Sequence, residues 1–404
     1  MPAGQRNLPF ILRPKQEVLV DTLVDCIHKQ QDVGINKSRD EGATECVTKT
    51  LALMAMLENN GYFVVGSRNK DLVDSLGDPY TLFAKIDQVF DTIPPWLRKR
   101  VGHVDRKDMQ LSIPATGSVV KGETTNESFS AGRRATCIFL DEFGRVEPRI
   151  AESIEGSVHD VTGCCIYGST HWFGSSHPFA RALRKQTTTV VNLVWYENPE
   201  KAAGLYKTPD YDVIEIIDKD YYVRHYPGIF DGSNDLLDRP FKLSSLEKTL
   251  LAKGYNGPSP KFIADKCENL PAGADVRSPW HDAEEQKRQG NFRDFVSNIW
   301  ASPVGSNDSV FSPITLARVQ ATTIRPPSFR GEIRFTRASD GHVGGIQVSA
   351  GGKGRLQWWG LIRDGRPDLT HAYTIGCDPS LGTGNSNSVA AVLDVNTHEI
   401  VGTW

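Results

Sequence analysis

The distribution of apolar residues predicts three buried strands in the first half of the chain. The runs GYFVVGS (61–67), ATCIFLDEF (135–143) and CCIYGST (164–170) are short and apolar, and each is bounded by glycine or polar residues. Such runs are typical of strands that are covered on both faces, as in parallel sheets. The second and third runs each end in polar or acidic side chains, which would lie at the carboxyl edge of a sheet.

Helical stretches separate these runs. Residues 12–29 carry apolar side chains at helical spacing, residues 46–57 have a helix-rich composition, and residues 71–90 form a further helical stretch that ends at Pro94 and Pro95,. Strands that alternate with helices predict an α/β fold with a parallel sheet and flanking helices.

The second half of the chain is less regular. Periodicity weakens over residues 198–290, and no order of elements is predicted there. Residues 333–360 are glycine-rich with short β-type runs, which indicates a small β subdomain or an elaborated linker,. Residues 372–404 predict two strands joined by a glycine-rich turn, with Asp378 at the end of the first strand,.

Composition changes this picture little. A chain of 404 residues predicts two or three domains, and its net charge of −3 means that any nucleic-acid contact must come from local basic clusters,. Two clusters qualify, residues 98–107 and 181–185, although solvated basic faces are the alternative. The seven cysteines form no C-x-x-C pair,. Without a signal peptide or an apolar run of ~20 residues, a cytoplasmic protein is expected.

The stretch NKSRDEGATE (36–45) resembles a phosphate-binding loop whose lysine has moved. In the template G-x-x-x-x-G-K-[ST], Gly42 and Thr44 fill the later glycine and the hydroxyl, but Ala43 stands at the lysine position and Lys37 at the first glycine,. Gly42 would allow close backbone approach, Thr44 would face Mg²⁺, and Lys37 would reach the phosphates from the strand end, with Arg39 as a second cation. For an isolated match, a polar strand-to-helix turn is the alternative.

Two acids interrupt this loop. Asp40 and Glu41 put negative charge where a triphosphate must bind,. We expect both side chains to point away from the nucleotide, because otherwise its affinity would be poor.

The run CIFLDEF has the Walker B pattern of an apolar strand followed by Asp141 and Glu142. In this pattern the aspartate holds the Mg²⁺ shell and the glutamate polarises the attacking water. A buried strand that ends in a surface acidic pair is the alternative. The hydroxyl-bearing loop about a hundred residues upstream favours the Walker B interpretation, since the two elements need each other chemically.

Three further features fit a nucleotide site. Gln16 could hydrogen-bond the adenine edge, or simply be an exposed glutamine at a helix start. YGSTHW (167–172) follows a strand, where a polar motif could sense the γ-phosphate; a Ser/Thr turn is equally consistent,. Arg133 and Arg134 precede the Walker B strand and are candidates for an arginine finger, with solvated arginines as the alternative.

Near the end of the chain, IGCDPSLGTG supplies one acid of the kind that two-metal nucleases use. Such enzymes need several carboxylates that converge on Mg²⁺ or Mn²⁺. Asp378 follows a β-run and precedes a tight turn, as at the start of an RNase H-like fold, although a strand-end Asp is usually a turn cap. Asp394, at the end of the next strand, is predicted to be structural.

In this order the motifs resemble the large terminase subunit of tailed bacteriophages, the DNA-packaging ATPase and nuclease. The resemblance is carried by RPKQ, KSRDEGAT, SRNKDLVDSL, GRRATCIFLDEF, YGSTHW, residues 278–311 and YTIGCDPSLGTGNSNSVAAVLDV. It implies a P-loop ATPase domain (1–310), a linker or β subdomain (311–368) and an incomplete RNase H-like nuclease domain (369–404).

The resemblance also implies roles for particular residues. The catalytic set is Lys37, Arg133, Arg134, Glu142 and Asp378. The ATP-binding set is Gln16, Lys37, Ser38, Arg39, Gly42, Ala43, Thr44 and Asp141. The coupling motif is Gly168, Ser169 and Thr170, and the metal ligands are Thr44, Asp141 and Asp378. The cofactors would be ATP with Mg²⁺, and Mg²⁺ or Mn²⁺ at the nuclease site.

The expected function is therefore ATP-driven movement of double-stranded DNA into a procapsid, followed by cutting of concatemeric DNA. The partners would be DNA, a portal protein, a small terminase subunit and further copies in a ring, with no membrane, in the host bacterial cytoplasm. The truncated nuclease makes cleavage by this chain doubtful. A helicase or remodelling ATPase, a nucleotide-independent nuclease or recombinase, and a structural capsid or portal-associated protein are the alternatives.

Overall fold

The structure is a computed structural model that describes residues 10–130, 132, 134–231, 236–264, 275–289, 291–303, 325–352, 354–363, 366–379 and 388–404. Its contacts divide the chain into two compact units, Met1–Ala317 and Arg318–Trp404. None of the helices in these described ranges is both long enough and apolar enough to cross a membrane.

The described part of the first unit contains both helices and strands. The helices are α1 (Pro14–Lys29), α2 (Ala43–Leu57), α3 (Lys70–Val73), α4 (Leu82–Thr92), α5 (Pro95–Val101), α6 (Pro148–Val161), α7 (Pro178–Ala182), α8 (Lys219–His225), α9 (Leu243–Ala252), α10 (Pro279–Lys287) and α11 (Phe292–Asn298). The strands are β1 (Val33–Lys37), β2 (Tyr62–Ser67), β3 (Asp105–Lys107), β4 (Gln110–Ile113), β5 (Ser118–Thr124), β6 (Cys137–Asp141), β7 (Cys165–Ser169), β8 (Thr189–Leu193), β9 (Tyr206–Asp210), β10 (Val213–Ile216), β11 (Phe241–Lys242) and β12 (Val276–Arg277).

The main sheet has the order β3-β4-β5-β2-β6-β7-β1-β8. From β5 to β8 every neighbouring pair is parallel, and β3 and β4 add an antiparallel edge. The carboxyl ends of the parallel strands therefore meet at one edge of the sheet. The predicted α/β fold with a parallel sheet and flanking helices is confirmed, and all three predicted strands are present as β2, β6 and β7.

Alternating side chains of the central strands pack in two cores, one on each face of the sheet. In β6, Cys137 and Phe139 join a core with α1, α2, α4 and α5, whereas Ile138 and Leu140 join a second core with α6 and α7. This period-two alternation is what a strand buried on both faces requires. The sheet is thus the middle layer of three.

One predicted helix is divided in two. The stretch predicted over residues 71–90 forms α3 and α4, and the segment between them contains Gly77 and Pro79. Both residue types interrupt a helix, because glycine is too free and proline lacks the N–H group.

The region whose elements had no predicted order forms a smaller antiparallel sheet, β11-β10-β9-β12. Its aromatic core includes Tyr206, Tyr222 and Phe230. A neighbouring cluster of Trp195, Phe295 and Trp300 joins the turn after β8 to α11.

The second unit is a β structure. Its described strands are β13 (Phe329–Arg337), β14 (Val343–Ala350), β15 (Leu356–Trp358), β16 (Ile362–Arg363), β17 (Arg366–Pro367), β18 (Tyr373–Asp378), β19 (Val389–Asp394) and β20 (Glu399–Thr403). Six of them form the antiparallel sheet β14-β13-β15-β20-β19-β18.

One antiparallel sheet contains described strands from both 311–368 and 369–404, and the predicted boundary between these two segments stays a prediction. The same sheet corrects one expectation. The final segment contains three strands where two were predicted, because Glu399–Thr403 returns beside β19 after a turn. An RNase H-like identity for this unit stays a prediction.

Candidate active site

The phosphate-loop segment lies between β1 and α2, at the carboxyl edge of the main sheet. Lys37 ends β1, and Gly42 precedes the first residue of α2 with a φ of +72°. This left-handed conformation favours glycine, which has no Cβ to clash. The segment is therefore a strand–turn–helix unit with a helix N-terminus at its end, which is the backbone arrangement that binds phosphates.

The hydroxyl of the predicted phosphate loop and the carboxylate of the predicted Walker B strand are in direct contact. The Oγ1 of Thr44 donates to the Oδ1 of Asp141 over 3.0 Å, although 97 positions separate the two residues. Asp141 ends the fully buried strand β6. A hydroxyl and a carboxylate supply the oxygen ligands that Mg²⁺ prefers, so these two side chains fit the metal that an ATPase requires.

Charges around Asp141 oppose one another. Burial raises the pKa of the Asp141 carboxyl, the Lys37 ammonium lowers it, and the neighbouring Glu142 carboxylate raises it. The charge of Lys37 therefore lowers the pKa of Asp141, the predicted metal ligand. In the described part of the chain, its ammonium makes no hydrogen bond or ion pair. A cation in this position remains available for a phosphate.

Arg39, the second candidate cation, has an exposed side chain, and its backbone N–H donates to the carbonyl of Asn298 over 2.6 Å. Ser38 is buried and its Oγ donates to the carbonyl of Ile299 over 2.6 Å. The Ser38 hydroxyl therefore fixes the loop to the segment after α11, and its predicted role at the nucleotide stays a prediction.

Glu142 is held by an arginine that the sequence analysis did not single out. The Nη2 of Arg68 lies 2.7 Å from the Oε2 of Glu142, and the Nε of Arg68 donates to the same oxygen over 2.9 Å. The register between β2 and β6 pairs Gly66 with Leu140, which brings the residues after both strands side by side. In this conformation the Glu142 carboxylate forms an ion pair with Arg68.

The segment predicted as a coupling motif lies between the two predicted nucleotide motifs. β7 pairs with β6 on one side and β1 on the other, so that Gly168 is opposite Asp141 and Ser169 is opposite Asn36. The Ser169 Oγ donates to the carbonyl of Thr170 over 2.6 Å, and both residues are buried. A motif at this position is suited to sense changes at either neighbour.

The Walker B turn packs tightly on this motif. A Cβ on Gly144 would lie 2.5 Å from the carbonyl oxygen of Thr170 and 2.9 Å from the Oγ of Ser169. Only glycine allows such a close backbone approach. A movement of the turn that contains Gly144 would therefore displace Ser169 and Thr170.

His171 follows the coupling motif and is buried. Burial, assisted by the charges of His177 and Arg184, lowers the pKa of His171 to about 3. The His171 side chain therefore binds a proton near pH 6.5 in the unfolded chain, but only near pH 3 in the folded chain. From this group alone, we expect the free energy of unfolding to fall by about 1.4 kcal/mol per pH unit as the pH drops from about 6.5 towards 3.

The acid sensitivity of His171 can be measured by urea unfolding of the wild type and His171→Phe between pH 7 and pH 4. The variant should show a shallower pH dependence, by up to one proton. An unchanged slope would show that His171 titrates as in the unfolded chain.

Gln16 contacts the phosphate loop directly. Its Nε2 donates to the carbonyl of Glu41 over 2.8 Å, and its Oε1 accepts from the backbone N–H of Arg13 over 2.9 Å. The side chain is buried, so the alternative of an exposed glutamine is wrong. Binding of the adenine edge by Gln16 stays a prediction.

The remaining predicted residues are the two arginines before β6 and the acids of the second unit. Arg133 falls outside them, and Arg134 is exposed before β6. In the second unit, Asp378 is exposed at the end of β18. Asp394 accepts from the Nδ1 of His371 over 2.6 Å and from the backbone N–H of Asn396, which agrees with its predicted structural role.

The two acids of the loop behave differently. Asp40 is exposed with a φ of +60°, whereas Glu41 is buried and its carboxylate is bound by Lys201 and Asn198. The expectation that both acids point away from the nucleotide stays a prediction. Lys201, Asn198 and Arg68 were not predicted from the sequence. The one available signal was that a buried loop acid requires a cation from elsewhere in the chain.

No family model matches the sequence, and no curated protein matches it. The compared solved structures include three large terminases. That of the HK97 bacteriophage has a TM-score of 0.37 at 14% identity, covering 60% of this chain and 48% of its own. The ATPase domain of the Thermus phage P74-26 enzyme has 0.36 at 13%, covering 48% and 85%. A thermophilic bacteriophage enzyme in complex with ADP has 0.36 at 15%, covering 54% and 51%.

Apart from the ATPase-domain structure, the chain spans about half the length of these terminases. The chain is similar to these large terminases over about half of its own length.

Proposed function

We propose that this chain is an Mg²⁺-dependent ATPase, the motor part of a large terminase that packages viral DNA. The observation that carries the ATPase assignment is the contact of 3.0 Å between Thr44 and Asp141, with Lys37 and Glu142 at the same edge of the sheet. Phosphoryl transfer to water requires a hydroxyl, two carboxylates and a cation in this arrangement, and Lys37 has no hydrogen bond or ion pair with any residue that the structure describes.

Each residue has a definite task in this proposal. Thr44 and Asp141 would hold Mg²⁺, which neutralises charge on the phosphates. The ammonium of Lys37 would stabilise the negative charge that develops on the transferred phosphoryl group. Glu142 would orient and polarise the attacking water, and for this its carboxylate must leave Arg68.

The packaging role rests on the order of the motifs along the chain. In that role, ATP hydrolysis would translocate double-stranded DNA through a portal into a procapsid, with copies of the chain in a ring and with a small terminase subunit as partner. The protein would work in the host bacterial cytoplasm, bound transiently to the procapsid. An arginine finger from Arg133 or Arg134 belongs to the same proposal.

The two basic clusters differ as DNA-binding candidates. In the cluster 181–185, Arg181 pairs with Glu152 and Glu155, and Lys185 pairs with Glu155, so its charge is largely neutralised. On α5, Lys99 and Arg100 are exposed and make no ion pair with any residue that the structure describes. We therefore favour α5 for contacts with DNA phosphates.

The test is ATP hydrolysis with and without linear double-stranded DNA, by the wild type, Lys37→Ala and Glu142→Gln. We expect turnover that DNA stimulates and that both substitutions reduce. The exposed α9 residues provide matched controls, Lys248→Ala and Glu247→Gln. If neither Lys37→Ala nor Glu142→Gln lowers turnover, the motor assignment fails in favour of a structural protein or a nucleotide-independent nuclease. Strand separation would favour a helicase.

A second proposed activity is metal-dependent DNA cleavage. It is supported by Asp378, exposed at the end of β18, beside the antiparallel strands β19 and β20. One acid is not a two-metal site, so we expect no cleavage of plasmid DNA with Mn²⁺ by this chain. A nuclease domain that supplies the further acids should cleave, and Asp378→Ala should abolish that cleavage. Cleavage that survives Asp378→Ala would remove this residue from the site.

A further inference from the structure

Glu41, one of the two acids of the phosphate loop, is bound by Lys201. Glu41 is only 4% exposed, and its carboxylate accepts from the Nζ of Lys201 over 2.6 Å and from the Nδ2 of Asn198 over 3.0 Å. Burial raises the pKa of Glu41, and the charge of Lys201 opposes that rise. The Glu41 carboxylate is therefore bound and its charge balanced within the protein.

Lys201 binds the loop backbone as well as Glu41. Its Nζ donates to the carbonyl of Arg39 over 2.6 Å and lies 3.4 Å from the carbonyl of Asp40. An ammonium has three donors, and all three are directed at consecutive residues of one loop. Lys201 is 8% exposed, with the ring of Trp280 centred 4.7 Å from its Nζ.

The position of Lys201 is itself fixed. Its backbone carbonyl accepts from the Oγ of Ser278 over 2.7 Å, and its backbone N–H donates to the carbonyl of Asn198. Ser278 immediately precedes α10, so the backbone of Lys201 is tied to the start of that helix.

Because Lys201 holds the carbonyls of Arg39 and Asp40, it also determines where the next two backbone N–H groups point. In a trans peptide, the C=O of one residue and the N–H of the next point in opposite directions. With the carbonyls of Arg39 and Asp40 held at Lys201, the N–H groups of Asp40 and Glu41 are directed away from it. Within the described part of the chain, these two N–H groups make no hydrogen bond. Unpaired N–H groups beside a helix N-terminus form an anion-binding concavity.

We propose that Lys201 is a positioning residue for nucleotide binding, which holds the carbonyls of the phosphate loop back so that its N–H groups face the phosphates. This role rests on the proposed ATPase function. Lys201 does not touch the nucleotide itself, because its donors are used on the loop. The loop thus uses two lysines, Lys37 for the phosphates and Lys201 for the backbone.

The first measurement is binding of Mg·ADP by calorimetry, together with steady-state ATP hydrolysis. Lys201→Met should raise the Kd and the KM by about 10- to 100-fold, the effect of losing one or two hydrogen bonds to a charged group. The kcat should stay within about threefold, since bound substrate meets the same catalytic groups. Lys248→Met, at an exposed position, should match the wild type. An unchanged Kd in Lys201→Met overturns the proposal.

A double variant separates backbone positioning from simple charge balance. Lys201→Met leaves the buried Glu41 with only the more distant Arg13, whose Nη1 lies 3.8 Å from the Oε2 of Glu41, and this could unfold the loop region,. In Glu41→Gln/Lys201→Met the buried charge itself is removed, and Arg13 keeps its ion pair with Glu200. If Lys201 only neutralised Glu41, the double variant would recover wild-type affinity, and this result would overturn the proposal. We expect its affinity to stay at least about tenfold weaker, at an unchanged thermal midpoint.

Failure of this proposal and failure of the ATPase assignment give different results. A wild type that neither binds Mg·ADP nor hydrolyses ATP removes both. A wild type that hydrolyses ATP and is impaired by Lys37→Ala, combined with an unchanged Kd in Lys201→Met, removes only the positioning role.

Discussion

Replacement of Glu142 by glutamine is expected to lower the kcat for ATP hydrolysis by about 10²- to 10⁴-fold, the usual contribution of a general base. Glutamine keeps the size of the side chain but cannot accept a proton from the attacking water. The side chain lies outside the contact between Thr44 and Asp141, so the metal ligands are kept. We therefore expect the affinity for Mg·ADP to change by less than about threefold.

The measurement for Glu142→Gln is single-turnover hydrolysis at saturating ATP, with Glu247→Gln as the control at an exposed site. The ion pair with Arg68 complicates the interpretation, because the substitution also frees that arginine. Arg68→Ala, measured in parallel, keeps the base and removes the pair. A Glu142→Gln variant with wild-type kcat would show that another group activates the water.

Replacement of Lys37 by alanine is expected to lower kcat by about 10²- to 10³-fold, the cost of removing one preorganised group that stabilises transition-state charge. Nucleotide affinity should fall as well, since the ammonium would also contact the bound phosphates. Arg39→Ala provides the comparison, because Arg39 is the other cation of the loop and its side chain is exposed. A larger loss in Arg39→Ala than in Lys37→Ala would reverse the assignment of the catalytic cation.

Lys37→Ala should also change the pH dependence of ATP hydrolysis. The Lys37 charge lowers the pKa of Asp141, so its removal should raise that pKa further. Asp141 must be ionised to hold Mg²⁺. In Lys37→Ala, the residual activity should therefore be lost at a higher pH on the acid side than in the wild type. A pH–rate profile measures this shift, and an unmoved acid limb would place Lys37 away from Asp141.

Local sequence patterns were sufficient for the core of the fold. The runs that became β2, β6 and β7 are apolar because both faces of the sheet are covered, and that requirement is visible in any short window,. Gly42 could be assigned as well, because it fills the later glycine of the phosphate-loop template, and the structure gives it the positive φ that favours glycine,. The smaller sheet β9–β12 was missed because its strands are short and separated by irregular segments,.

The site was predictable as a set of residues but not as an arrangement. Thr44 and Asp141 were assigned to one metal from their residue types, and the structure brings them to 3.0 Å. Nothing local indicated that β7 would lie between β1 and β6, which puts the coupling motif between the two nucleotide motifs. Strand order is a property of the whole sheet, so it cannot be obtained from separate segments.

The sequence by itself determined which segments are buried strands, where the phosphate loop turns into its helix, and which hydroxyl, carboxylates and cation could serve a nucleotide. These depend on neighbouring residues and on side-chain chemistry. The tertiary structure alone decided that Glu41 turns towards Lys201, 160 positions away, and that Arg68 holds Glu142. A buried charge must find a partner, and the partner is set by how distant segments pack.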